Sequence, residues 1–314
     1  HESVGVGVCR VEAQQQGLGV EGGQVIHAID GADAPEGLDE QTVTHTLNPM
    51  SEALHVWRGS TAADGPWQPV DWCDPHAGAV LAADSWRVVD GAARGLHHHR
   101  DRFLGSVAAL LGEATEPQAF WRAALALLPS EGDWFPRVEL RARGEGAQLS
   151  LRVRPTPQTS MEAVVATAPH DPRIQPRIKG PDLESLQRLR TLVQPHDAQE
   201  AIILTPTAEV VEGAYSSLVW WRDGVLHRVD DALPRIPSVT ERIVTDAATA
   251  EGVEVRAVQA HPRDLDGAEL WVLSALHGLR VATEWVQGPR LVVEPGRAER
   301  GRAWLEAARR PLFT

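Results

Sequence analysis

Arg177-Ile178-Lys179-Gly180 carries the only lysine of a 314-residue chain that has 30 basic residues in all. Lysine and arginine exchange readily on solvated surfaces, so a coding bias can convert nearly every one into the other. Arginine cannot replace an amine that must lose its proton and react. Lys179 is therefore either a chance survivor on a solvated loop or a site of amine chemistry, and its surroundings must decide. Downstream, Asp182 to Leu192 has helical spacing. Upstream, Pro155, Pro157, Pro169, Pro172 and Pro176 surround a short strand-like run, Ala163 to Thr167, and mark the connection between two halves of the chain.

In the first half, Leu54 to Trp57 and Ala79 to Val89 read as strands, with Asp90-Gly91 as a hairpin turn. His97 to Leu111 has helical spacing with Phe103, Val107, Leu110 and Leu111 on one face, and Pro117 to Leu128 repeats the pattern. Two strands follow, Arg137 to Arg143 and Ala147 to Arg154. In the second half, Glu200 to Thr205, Val210 to Glu212, Leu218 to Trp221, Val225 to Arg228, Val253 to Ala257 and Glu269 to Ser274 read as strands. Ser238 heads a helix reaching about Glu251. The fold class expected is α+β in two domains: 50–165, a linker 166–176, and 177–314.

Composition limits what this fold can do. With 43% apolar and 23% charged residues the chain is ordinary globular material. A net charge of −13 repels nucleic-acid backbones and anionic membranes, so neither is an expected partner. Its longest apolar runs fall far short of the roughly 18 residues of a membrane span. Only two cysteines, Cys9 and Cys73, occur, and no basic-then-apolar leader precedes them, which points to a reducing cytoplasm. Residues 1–49 hold eight acidic residues and one base and read as a weakly ordered acidic extension. The folded part is expected to begin near Met50, with the preceding segment a candidate for one foreign to the natural protein.

Four stretches carry candidate chemistry. In Arg94-Gly95-Leu96-His97-His98-His99-Arg100-Asp101-Arg102-Phe103, His99 and Arg102 are three apart and share a helix face, and a guanidinium suits phosphate oxygens. An ordinary solvated helix start competes with that reading. Consecutive helical residues point about 100° apart, so the three histidines make a poor metal site, and no metal is expected. The second stretch is the lysine segment itself. The third, Ala208-Glu209-Val210-Val211-Glu212-Gly213 followed by Ala214-Tyr215-Ser216-Ser217-Leu218, has a carboxylate at a strand end, with Glu209 on the opposite face from Glu212. The fourth is a pair of turns. Leu233-Pro234-Arg235-Ile236-Pro237-Ser238-Val239-Thr240 leads into a helix whose N-terminal N–H groups favour an anion, and Ser274-Ala275-Leu276-His277-Gly278 follows an apolar strand.

In this order the four stretches resemble the fold-type IV pyridoxal-phosphate enzymes: branched-chain aminotransferases, D-amino-acid aminotransferases and aminodeoxychorismate lyases. The resemblance spans about residues 50–290. It implies a D-amino-acid-aminotransferase-like fold, pyridoxal 5'-phosphate as cofactor, and a homodimer with its sites near the subunit interface. By residue it implies Lys179 as the Schiff-base lysine and proton carrier, and Glu212 as partner of the pyridine nitrogen. Arg102, Val239, Thr240, Ser274 and Ala275 would hold the phosphate.

The pattern departs from the family at Leu183, where many aminotransferases have tyrosine, and at Ser217, where asparagine is usual. The Ser-Ala-Leu turn is closer to the lyases. Amino-group transfer between an amino acid and a 2-keto acid is the expected activity, with aminodeoxychorismate lysis second and a non-catalytic homologue third. A cationic neighbour such as Arg177, or burial, is expected to lower the pKa of Lys179, and Arg137 or Arg154 is the expected contact for a substrate carboxylate.

Overall fold

Alternation of apolar and polar residues builds the first sheet. The computed structural model describes residues 52–70, 78–111 and 116–313, so the acidic segment 1–49 lies outside the described residues. Five strands pair antiparallel in the order Trp67–Val70, Ala53–Trp57, Gly146–Val153, Arg137–Arg143, Val80–Ser85. In the central pair, Val138, Leu140, Leu149 and Leu151 are buried.

Helices α1 (Leu96–Leu111) and α2 (Pro117–Ala126) cover this core with Phe103, Phe120 and Trp121, and the Trp121 ring meets Trp86 on the sheet side. Each fully buried aromatic of this kind contributes about 1.5–3 kcal/mol of transfer free energy. The inward face of α1 is His99, Phe103, Leu104 and Val107, while Leu110 is exposed. The helix is thus rotated from the face expected from its apolar residues alone, because His99 turns inward to a buried carboxylate, Asp84.

The second sheet has eight strands, in the order Val210–Gly213, Glu200–Leu204, Glu162–Thr167, Gly278–Val286, Glu269–Ser274, Ser217–Arg222, Val225–Val229, Val255–Val258. Glu162–Thr167 runs parallel to both its neighbours, Glu200–Leu204 and Gly278–Val286. The chain therefore enters this sheet at Glu162, whereas the expected boundaries, 50–165 with a linker over 166–176, assign that strand to the first half. Its buried Ala163 and Val165 pack with Ile202 and Leu270, and the prolines on either side punctuate the strand without ending the domain.

Helix α3 (Leu183–Val193) buries Leu186, Leu189 and Val193, and α4 (Val239–Ala250) starts on Ser238, whose hydroxyl accepts from the Glu241 N–H at 3.2 Å. Helix α5 (Arg297–Ala307) packs against strand Gly278–Val286. Gly301 permits this approach, since a Cβ there would lie 2.6 Å from a Leu279 methyl and 2.8 Å from the Trp271 ring. After α5 the chain returns to the first half, where Arg309–Pro311 pairs with Ala92–Arg94 in a small four-stranded sheet. Among the described residues no helix is long and apolar enough to cross a membrane.

Candidate active site

The two large sheets meet at the lysine segment. Lys179 O accepts from the Ala83 N–H at 2.6 Å, and Gly180 sits at φ +135° against the same strand. A Cβ on Gly180 would lie 2.7 Å from Ala83 N and 2.8 Å from Ala82 Cα. Gly180→Ala is therefore expected to cost more than about 1 kcal/mol, through both backbone strain and displacement of this junction. Urea unfolding checks it, and an unchanged midpoint would show that the junction yields freely.

Lys179, Arg102, Glu212, Val239, Thr240, Ser274 and Ala275 all line one cavity. The amine of Lys179 makes no hydrogen bond or ion pair with any described residue. Burial first, and then the Arg102 guanidinium, bring its pKa down to about 8, with Arg137 adding to the effect. Arg177, the expected cationic neighbour, is instead exposed, with its guanidinium toward the Ala232 carbonyl at 3.5 Å. The chain turns here, the Ile178 N–H donating to the Gln175 carbonyl at 3.0 Å, and Ile178 rather than Arg177 packs against the first core.

Arg102 is held by a group that sequence reading missed. Asp84 is fully buried, and its carboxylate accepts from Arg102 Nε and Nη2 at 2.8 Å each and from His99 Nδ1 at 2.8 Å. Burial would raise the Asp84 pKa, but Arg102 and then His99 outweigh it and hold the carboxyl below its usual range. Burial in turn lowers His99, which donates as a neutral ring. Arg102 Nη1 reaches across to Pro237 O at 2.7 Å, tying α1 to the turn before α4. These bonds commit three of the five guanidinium N–H groups and leave donor capacity for an anion.

Glu212 is the second buried carboxylate. Arg173 Nη1 donates to it at 2.5 Å, and the Ile236 N–H donates at 3.3 Å. Burial dominates over Arg173 and pushes its pKa up to about 7. Arg173, also missed from sequence, has a side chain only 2% exposed and divides its fork between Glu212 and Asp171. Ser217, at the position that departs from the family pattern, donates to Ser238 Oγ at 2.8 Å and so fixes the cap of α4 to the second sheet. Tyr215, the only tyrosine of the chain, lines the cavity beside Leu183 and donates to the Leu183 carbonyl at 2.8 Å.

The donor set fits a phosphorylated pyridine aldehyde. An unpaired amine can condense with the carbonyl, a buried carboxylate can meet the ring nitrogen, and each Glu212 oxygen retains a lone pair beyond the bond it accepts. Arg102 and the first N–H groups of α4, which have no partner within the helix, suit a phosphate.

Fold and cavity together define a class: an α+β enzyme with an amine suited to reaction at the junction of two sheets. The chain belongs to the class IV amino-transferase family, whose model matches residues 81–285. Among solved structures it is similar to the fold IV transaminase CpuTA1 from Curtobacterium pusillum, at 18% identity and TM-score 0.68, over 82% of this chain and 97% of that one. It is likewise similar to the PLP-bound form of a hypothetical aminotransferase from Mycobacterium tuberculosis, at 16% identity and TM-score 0.68, over 82% and 98% of the two chains. An aminotransferase from Brucella abortus bound to the cofactor PLP matches at 16% identity and TM-score 0.67, over 81% and 98%. No curated protein sequence matches the chain.

Proposed function

We propose that this protein is a pyridoxal-phosphate-dependent aminotransferase that moves an amino group between an amino acid and a 2-keto acid, with Lys179 as its catalytic residue. The observation that carries this reading is the single lysine of the chain, unpaired in a cavity that also holds the Glu212 carboxylate, the Arg102 guanidinium and the start of α4. When bound, pyridoxal phosphate supplies an aldehyde that captures amines and a ring that withdraws electrons from a substrate α-carbon. Arg102 and the backbone N–H groups of Val239 and Thr240 would grip its phosphate, with Ser274 and Ala275 closing the other side. Glu212, kept partly ionised by Arg173, would hold a proton at the pyridine nitrogen. Lys179 Nζ would take the proton from the substrate α-carbon and return it during transfer.

Reduction with borohydride in the presence of pyridoxal phosphate, followed by peptide mapping, tests the reading. A stable adduct on Lys179 is expected, and with one side-chain amine in the chain its absence would overturn the proposal. The pH dependence of capture is a separate check. Only the neutral amine attacks an aldehyde, so the rate should rise about tenfold per pH unit below pH 8 and level off above it. A midpoint near the ordinary lysine value of about 10.4 would show a solvated amine instead.

The second reading, aminodeoxychorismate lyase, draws on the Ser274-Ala275-Leu276 turn. Adding an amino acid without any keto acid separates the two: an aminotransferase converts its cofactor to the amine form, and a lyase does not. The family reading also carries a homodimer, and the sparse cysteines favour a reducing cytoplasm.

A further inference from the structure

A small cavity adjoins the candidate active site and shares His99, Val239, Thr240, Ser274 and Ala275 with it. Its other polar groups are two guanidinium groups, Arg87 and Arg94, and no described carboxylate lines it. Arg94 ends the strand Ala92–Arg94, and its guanidinium abuts the turn that carries Ser274 and Ala275. A Cβ on Gly278, which sits at φ +72° in that turn, would come within 2.8 Å of Arg94 Nη1.

The two arginines are not equally neutralised. Arg87 has a carboxylate of its own, Asp133, which accepts two hydrogen bonds from it. Arg94 divides one with Arg309: the half-exposed Glu306 accepts from Arg94 Nη2 at one oxygen and from Arg309 at both. Arg309 is also the register partner of Arg94, and like charges directly opposite in an antiparallel pair destabilise it. The Arg94 side chain is only 17% exposed, and burial, then Arg309 and Arg87, bring its pKa down to about 10. Its Nε is buried and makes no hydrogen bond, a costly state for an N–H unless water or an anion meets it. The fold thus keeps a cation beside the phosphate residues against burial and two like-charged neighbours, with only a shared carboxylate in return.

We propose that Arg94 is a second guanidinium of the phosphate site, a binding residue that joins Arg102 in selecting a phosphorylated cofactor and is restrained by Glu306 of α5. The inference rests on the cofactor reading above for the identity of the anion. A phosphate monoester carries a charge of about −1.5 to −2 near neutrality. Arg102 is already matched by the fully buried Asp84, and a helix N-terminus contributes roughly half a positive charge, so these two leave the ester under-neutralised. Arg94 supplies the remaining positive charge. Glu306 competes with the ester for it, so the two residues should act with opposite signs.

Calorimetric titration of the full chain with pyridoxine 5'-phosphate and with pyridoxine tests this. Both carry an alcohol where the cofactor has its aldehyde, so neither bonds covalently to a lysine and the ratio of their affinities isolates the phosphate. Arg94→Met is expected to lower that ratio about fivefold or more while leaving pyridoxine affinity in place, and Arg94→Lys to restore most of it. Glu306→Gln should raise the ratio about twofold or more, which keeps the inference open to refutation even if Arg94→Met does not fold. No preference for the ester in the parent chain, a ratio indifferent to Arg94→Met, equal loss of both ligands, or a ratio that fails to rise in Glu306→Gln would overturn it. An adduct on Lys179 with a ratio indifferent to Arg94 removes this inference and spares the aminotransferase reading. A ratio that follows Arg94 and Glu306 as expected, in a chain that forms no adduct, does the reverse.

Discussion

Replacing Lys179 with methionine is expected to lower amino-group transfer by at least ~10⁴-fold while leaving the fold intact. The size follows from removing two functions at once, covalent capture of the cofactor aldehyde and proton transfer at the substrate α-carbon. Stability should not suffer, because the lysine makes no ion pair to lose and its charge is already disfavoured by burial. Methionine fills a similar volume with nothing to desolvate. The unfolding midpoint of Lys179→Met should therefore equal or exceed that of the parent chain, which separates a chemical loss from a folding one. Turnover within tenfold of the parent would mean that the amine is not the reacting group.

Asp84→Ala should have the largest effect on stability, about 3–5 kcal/mol at neutral pH, because it strands Arg102 and His99 around an uncompensated site. The same change should weaken pyridoxal phosphate at least tenfold, since the carboxylate that orients Arg102 toward the cavity is gone. The pH dependence has a definite sign. The folded-state pKa of Asp84 lies below its unfolded value of about 3.9, so its contribution is fully present above that value and fades as pH falls through the folded pKa. Urea unfolding curves for the parent and Asp84→Ala should thus lie far apart at pH 7 and approach each other in acid. Unchanged stability together with unchanged cofactor affinity would show that Arg102 is held by the Pro237 contact alone.

Lys179, Glu212 and the turn into α4 could be read from sequence because each is a local pattern: a unique residue, a strand end, a helix start. Asp84 and Arg173 could not. Asp84 acts through residues 15 and 18 positions away, and Arg173 meets Glu212 across 39 positions, so no spacing rule connects them. A signal did exist for Asp84, an acidic residue closing the apolar run Val80 to Ala83 with a histidine and an arginine on one face of the next helix.

The strand Gly278–Val286 also went unread, since Arg280 and Glu284 interrupt its apolar alternation. Arg280 is buried there only because Glu200 neutralises it from the neighbouring half of the sheet. Helix α5 carries five charged residues in eleven and a central glycine, so neither its propensity nor its apolar stripe announces it. A second cavity beside Lys179, lined by Arg137, Arg154, Arg190 and Arg280, is likewise assembled from segments far apart in the chain.

The strand Arg309–Pro311 has a consequence for how the molecule comes to exist. It completes the small sheet next to Ala92–Arg94, the segment that leads directly into α1 and Arg102, across more than two hundred intervening positions. A contact that distant is slow to close by chance encounter. During synthesis the first half leaves the ribosome long before its last strand is available, so its early form carries an unpaired edge beside the helix that bears Arg102. The proposed anion grip is thus fastened by residues translated late, and a chain cut short before Arg309 would retain every residue assigned to the chemistry yet leave that helix without its clasp.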